Sequence, residues 1–315
     1  MTQSLRLEQS WVRRFRKYYL SRWQLYLLLT LPIVYLILFD YIPMAGAQIA
    51  FRKFDFRYGI WHSPWVGFEN FRRFFNSYQF WDILYNTLFL SVYGLAVSFP
   101  LPIILALLLN SFPGVRFKKV VQTVSYIPHF ISTVVVVGML MQIFNPRTGA
   151  VGNIYSLFTG GIMKDIFASP SAFPHLYVWS GIWQGIGWSS IIYIAALSSV
   201  DTELHEAAQI DGASRFRRVL HIDLPSILPT ATIMLILSAG RVMSVGFEKV
   251  FLMQNSLNIG ASEVISTYVY KVGMVIGTGD YSFATAIGLF NSVINFCLLV
   301  LVNFILRKLS ETSLW

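Results

Sequence analysis

Six stretches of this chain are apolar over about twenty residues each, the length an α-helix needs to cross the hydrocarbon core of a bilayer. They occupy residues 25–44, 86–109, 120–144, 177–200, 224–247 and 283–306. Inside a bilayer every backbone N–H and C=O must be satisfied within the protein, so runs of this length are expected to fold as helices. The charge content agrees: 12% of the 315 residues are charged, against about a quarter in a soluble domain. The expected fold is an all-α membrane protein with six transmembrane helices. A basic segment, 1–24, precedes the membrane domain, 25–306, and a short tail, 307–315, follows it. The first run is the weakest, because Pro32 and Asp40 interrupt it. No small-residue cleavage site follows it, so it reads as a retained span and not a signal peptide.

The net charge of +9 would raise nucleic acid as a partner for a soluble protein. Here Lys and Arg sit between the apolar runs, and no nucleic-acid partner is expected. Fourteen fall in the N-terminus, the gaps after the second and fourth runs, and the C-terminus; nine fall in the alternate, longer gaps. Positive charge is retained on the cytoplasmic side, so both termini are expected there. Arg241 alone lies inside a run. The lone cysteine, Cys297, excludes an intrachain disulfide and a cysteine metal cluster, and is expected to be a buried, inert thiol. The first outer gap, 45–85, is rich in Phe and Trp; it suits the membrane interface, or the cap of a pore mouth.

No phosphate-binding G-x-x-x-x-G-K-[ST] loop and no H-E-x-x-H motif occurs. Gly277-Thr278-Gly279-Asp280 is a glycine turn and nothing more specific. His205 and His221 lack metal-ligand company and are expected to be solvated or capping residues. No catalytic residue, metal site or cofactor is expected on this chain.

The gap at 201–224 is the most informative. Asp201 suits a helix N-cap, and Ala207 and Ala208 favour helix. Asp211-Gly212 is a stop, since glycine adopts the left-handed conformation that ends helices. A second short helix is expected from Ser214, with Phe216, Val219 and Leu220 as one apolar stripe, and Pro225 suits the first turn of the helix after it. The product is a helix–turn–helix on the cytoplasmic face. From the residues alone it is either an ordinary connector or a knob through which a soluble partner pushes on the spans.

Glu206-Ala207-Ala208-x-x-Asp211-Gly212-Ala213, with Phe216 and Ile222-x-Leu224-Pro225, resembles the EAA loop of ATP-binding-cassette importer permeases. Tyr126-Ile127-Pro128-His129-Phe130-Ile131-Ser132, Gly246-Phe247-Glu248-Lys249-Val250-Phe251, Ala284-x-Ala286-Ile287-Gly288-Leu289-Phe290 and the terminal Ser313-Leu314-Trp315 are similar to the oligosaccharide and polysaccharide members. The resemblance implies the type I importer permease fold, a multi-pass protein of the bacterial inner membrane. It implies a second, related permease, two ATPase subunits that bind ATP and Mg, an extracytoplasmic solute-binding protein and a carbohydrate substrate. It also assigns Glu206, Ala207, Ala208, Asp211, Gly212 and Ala213 to coupling with the ATPase.

An arginine in a membrane helix costs about 2.5–3.5 kcal/mol on insertion scales, so Arg241 is expected to face a pathway or an ion-pair partner such as Glu248, Asp40 or a second permease. Glu248 would share its face if the helix continued two turns, although Gly240 and Gly246 make a break plausible. Aromatic and amide groups suited to sugars add Tyr126, His129, Trp183, Gln184, Trp188, Asn291 and Asn295 as pathway candidates. Helix packing is the plainer role for each, and Gln184 and the two Asn suit cross-links between helices. An ion-coupled secondary transporter would need intramembrane carboxylates that are scarce here. A membrane scaffold whose loop only recruits a partner is a further alternative.

Overall fold

The computed structural model describes residues 22–275 and 279–309. The basic residues before 22, residues 276–278 with the first half of the glycine turn, and the tail from 310 lie outside the described residues. The described chain is helical, with one isolated antiparallel bridge between Arg52 and Trp65. Helices are labelled in chain order, single turns left unlabelled: α1 (Trp23–Phe51), α2 (Glu69–Phe75), α3 (Phe80–Ser111), α4 (Val115–Phe130), α5 (Thr133–Ile143), α6 (Ala150–Thr159), α7 (Phe173–Leu197), α8 (Thr202–Ile210), α9 (Arg215–Ala239), α10 (Phe247–Met253), α11 (Ile265–Tyr270) and α12 (Tyr281–Leu309).

Four of these, α1, α3, α9 and α12, are long and apolar enough to cross a membrane, and α4 with α5 makes a fifth if the bent pair is one span. The remaining run corresponds to α7, whose 25 residues reach about 38 Å at 1.5 Å per residue. Its glycines, serines, tryptophans and Gln184 keep its hydropathy below that of the others.

Four expectations need correction. α1 is continuous through Pro32 and Asp40: a π turn, Ile37–Tyr41, precedes Pro43, with Ile42 N–H donating to the Ile37 carbonyl. The wider turn absorbs an imino residue that cannot donate. The third run is not one straight span, since α4 and α5 meet at 102°. A 3₁₀ turn carrying Pro128 ends α4, and Ser132 Oγ caps α5 by accepting from Val135 N–H. The fifth run ends early: α9 stops at Ala239, and residues 240–246 are turn and irregular chain before α10. The short helix from Ser214 does not end before that span but is its first turn. Its π segment, Val219–Asp223, comes immediately before Leu224-Pro225, repeating the device seen in α1.

Three buried clusters hold the bundle. Phe74, Phe80, Met243, Tyr268 and Phe283 join α2, α3, α11 and α12 with the break after α9. Leu90, Val137, Phe173, Val250 and Met253 join α3, α5, α7 and α10. Ala106, Tyr193, Leu197, Ile227 and Ala231 join α3, α7 and α9. α1 stands outside them: its apolar window is wholly unburied, and only its last turns pack on α12. Cys297 is also exposed on the surface of α12, contrary to expectation; apolar sequence in a membrane protein marks the lipid-facing side as readily as the core. In the aromatic segment, Phe51 packs among Trp65, Phe68 and Phe71, and Phe74 among Phe80, Phe283 and Phe290. Trp61, Trp65 and Trp81 stay exposed.

Candidate functional site: a cationic cavity and an exposed helix–turn–helix

The break after α9 shapes a cavity of about 320 Å³ between α3, α7 and α9. Arg241, Tyr177 and Tyr193 line it, with Ser91, Ser98, Ser189, Ser238 and Ser244. Ser91 Oγ is buried and has no hydrogen-bond partner. Arg241 lies in the turn itself, its N–H donating to the Ser238 carbonyl. Among the described residues it makes no ion pair, so neither Glu248 nor Asp40 neutralises it, and Glu248 is exposed. The two-turn relation to Glu248 fails because the helix ends between them. The cavity therefore offers one guanidinium and several hydroxyls.

Asn295 fixes the break. Its Oδ1 accepts from Met243 N–H at 2.9 Å and its Nδ2 donates to Ser244 Oγ at 3.0 Å. It thus satisfies backbone that lost its helical partners. Asn291 Oδ1, one turn earlier on α12, is buried without a partner.

His129, Gln184 and Trp188 come together, though not at this cavity, and Tyr126 hydrogen-bonds Ser190 on the same α7. Gln184 Nε2 donates to the Ile131 carbonyl at the α4–α5 bend, at 2.8 Å. The His129 ring stacks on Trp188 with centroids 4.5 Å apart. Gly187 is buried where α7 crosses α4, with the Ser125 backbone carbonyl occupying the space a Cβ would need. These side chains form the joint that holds the bent pair to α7. Trp183 faces neither place: it lines an apolar groove with Phe144, Leu176 and Trp179.

Tyr177 and Lys249 went unassigned in the sequence, which gives no sign of their pairing. Lys249 Nζ donates to the Tyr177 carbonyl at 2.9 Å and lies over its ring, and Gly246 N–H donates to the Tyr177 hydroxyl. Burial on α10, outside the spans, pushes the Lys249 amine down to about 8.

At the other end of the bundle, Asp201 caps α8 through Glu203 N–H, and Ser214 caps α9 through Arg217 N–H. Gly212 between them has φ +76°, the left-handed conformation that glycine takes at least cost. Glu206, Ala207, Asp211 and Gly212 are exposed, while Ala208 and Ala213 are half-buried. Of the expected apolar stripe, Val219 is half-buried, but Phe216 is 71% exposed; Ile210, on the other side of the Gly212 turn, is 87% exposed. Continuity of α9 aims Phe216 away from the bundle. His221 is exposed, as expected, with Nδ1 3.0 Å from the Arg217 carbonyl of its own helix. His205 departs from expectation: it is half-buried, its Nε2 3.2 Å from Asp223 Oδ1.

A polytopic helical bundle with a polar, cationic cavity and an apolar knob at its base has the form of a membrane permease. A family model described as the binding-protein-dependent transport system inner membrane component matches residues 98–311, and the chain belongs to that family. It is 40% identical to LplB of Bacillus subtilis strain 168, over 97% of this chain and 94% of that one. It is likewise 40% identical to the polygalacturonan/rhamnogalacturonan transport system permease protein YteP of the same organism, over 92% and 90% of the two chains. The crystal structure of a bacterial ABC transporter involved in the import of the acidic polysaccharide alginate superposes with a TM-score of 0.85 at 36% identity, covering 94% of this chain and 99% of that one. A second structure, of the alginate transporter in complex with an alginate pentasaccharide-bound periplasmic protein, matches with the same score and covers 96% of this chain and 100% of that one.

Proposed function

We propose that this chain is one permease subunit of an ATP-binding-cassette importer that brings oligosaccharides or polysaccharide fragments, acidic ones included, into a bacterial cytoplasm. In this reading six helices cross the inner membrane, α7 and the bent α4–α5 pair among them, and both termini are cytoplasmic. ATP and Mg bind to two separate ATPase subunits. A second, related permease faces the Arg241 cavity, and an extracytoplasmic binding protein delivers the sugar. Glu206, Ala207, Asp211 and Gly212 present the knob to the ATPase, and Ala208 and Ala213 support it from behind.

The exposure of Ile210 and Phe216 on either side of the Gly212 turn carries this reading. Fully burying an apolar side chain of this size is worth about 1.5–3 kcal/mol, and a contiguous exposed apolar patch marks a partner surface. The charge and hydroxyls of the cavity support a sugar-acid substrate, because a guanidinium pairs with carboxylates in two parallel hydrogen bonds.

The test is the purified complex of both permeases, the ATPase and the binding protein, presented with neutral and uronate oligosaccharides. Sugar-stimulated ATP hydrolysis is expected, and Gly212→Val is expected to abolish the stimulation. Uptake driven by an ion gradient without the ATPase would refute the assignment, as would partner binding without any uptake.

A further inference from the structure

We propose that His205, Asp223 and Asn110 form a polar latch that carries displacement of α8 into spans α3 and α9, which makes His205 and Asp223 positioning residues of the coupling step. The inference rests on the coupling role given to α8 above and names the contact through which that role is exerted.

α8 is poorly anchored by packing, since none of its residues is buried. A cavity of about 360 Å³, lined by Asn110, Ser198, Thr202, His205, Arg218 and Asp223, separates it from the ends of the spans. Across that gap the described side-chain links from α8 are two: His205 to Asp223 at 3.2 Å, and Arg218 to Gln209 at 3.5 Å. Both end on the first turns of α9. The second is at the limit of a hydrogen bond, so His205 is the firm connection.

Asp223 is built to receive it. Its side chain is 3% exposed, and a buried carboxylate must be paired or hydrogen-bonded. The same oxygen that faces His205 accepts from Asn110 Nδ2 at 3.2 Å. Asn110 lies at the cytoplasmic end of α3, and its carbonyl accepts from Lys118 Nζ at the start of α4. One carboxylate oxygen thus joins the cytoplasmic helix to two spans. Asp223 is also the last residue of the π turn in α9, where the wider hydrogen-bond ring makes the helix less regular than on either side.

Helical phase places the latch behind the contact surface. At about 100° per residue, His205 and Ala207 lie about 160° apart around α8. Ala207 is exposed and His205 half-buried. A push on the outer face therefore arrives at the His205 side, where it meets Asp223 and not an apolar cushion.

The experiment uses the reconstituted complex in proteoliposomes, with binding protein and sugar, and measures sugar imported per ATP hydrolysed. His205→Leu and Asp223→Asn are each expected to lower that ratio at least about fivefold, the low end of coupling between distinct sites. His205→Gln keeps a side-chain N–H donor and is expected to restore most of it. The double variant is expected to be no worse than the poorer single one, as for two halves of one contact. An unchanged ratio in both single variants, or additive losses, would overturn the latch. If Asp223→Asn does not assemble, His205→Leu against His205→Gln decides alone. A cysteine placed by Ala207→Cys in a Cys297→Ser background separates the two levels. Crosslinking to the ATPase with normal coupling in the latch variants sinks the latch only, whereas no crosslink sinks the coupling role itself.

Discussion

Replacing Gly187 with alanine is expected to loosen the joint between α7 and α4, whereas the same change at Gly185 is expected to be harmless. A Cβ at Gly187 would meet the Ser125 backbone carbonyl closer than any real Cβ contact, and backbone cannot rotate aside. Restoring an ordinary contact requires the two helices to part by roughly 1 Å. That separation takes the 2.8 Å Gln184–Ile131 bond past hydrogen-bonding distance and opens the His129–Trp188 stack. Overpacking costs about 1–3 kcal/mol, and a lost hydrogen bond about 1 more. The gain in helix propensity offsets up to about 1 kcal/mol. The net expectation for Gly187→Ala is a loss of about 1–3 kcal/mol. At Gly185 nothing lies within 4 Å of an added Cβ, so only the propensity gain remains. Thermal unfolding of the purified chain in detergent, followed by tryptophan fluorescence, checks both. Equal midpoints for the two variants would refute the assignment of Gly187 to a backbone contact.

Three other outcomes are expected. Arg241→Ala should raise the sugar concentration needed for half-maximal ATPase stimulation at least about tenfold for acidic oligosaccharides, since charge-assisted hydrogen bonds are worth about 1.5–3 kcal/mol, and far less for neutral ones; equal effects on both would refute the carboxylate contact. Asn295→Leu leaves Met243 N–H without its acceptor and is expected to cost about 1–3 kcal/mol, seen as a lower unfolding midpoint, while Asn295→Asp, which keeps the acceptor, loses less. Lys249 has a folded-state pKa of about 8, below its ordinary 10.5, so its protonated form opposes folding. That opposition is absent above the unfolded value, builds as the pH falls from about 10.5 to about 8 and is complete below it, so raising the pH from about 7 to about 9.5 should stabilise the parent chain more than Lys249→Met.

Much of the loop at 201–224 was legible because its signals are local. Asp201, Ser214 and Gly212 act within one turn of themselves, and each takes its expected cap or stop position. The helix that follows was misread for a related reason. Pro225 looked like a beginning, but a π turn lets the chain continue through it, and the continuation turns Phe216 outward. The pathway candidates were chosen by residue type, which is blind to position across the bundle. Trp183, Gln184 and Trp188 lie within two turns of one helix, yet one meets an apolar groove and the other two meet the bend of α4–α5.

The sequence by itself determined that this chain is a bundle of helices for a lipid environment, where a basic loop lies at its base, and where that loop turns. Runs of apolar side chains, caps and a left-handed glycine act through neighbours a few residues away. Tertiary structure alone decided that α4 and α5 bend, that α9 stops short of Arg241, that Lys249 sits on Tyr177, and that Asp223 is where His205 and Asn110 meet. Each depends on residues tens to more than a hundred positions apart in sequence, and the physical reason is the same throughout. A buried amide, carboxylate or ammonium must find a partner wherever the fold brings one, and sequence spacing carries no record of that encounter.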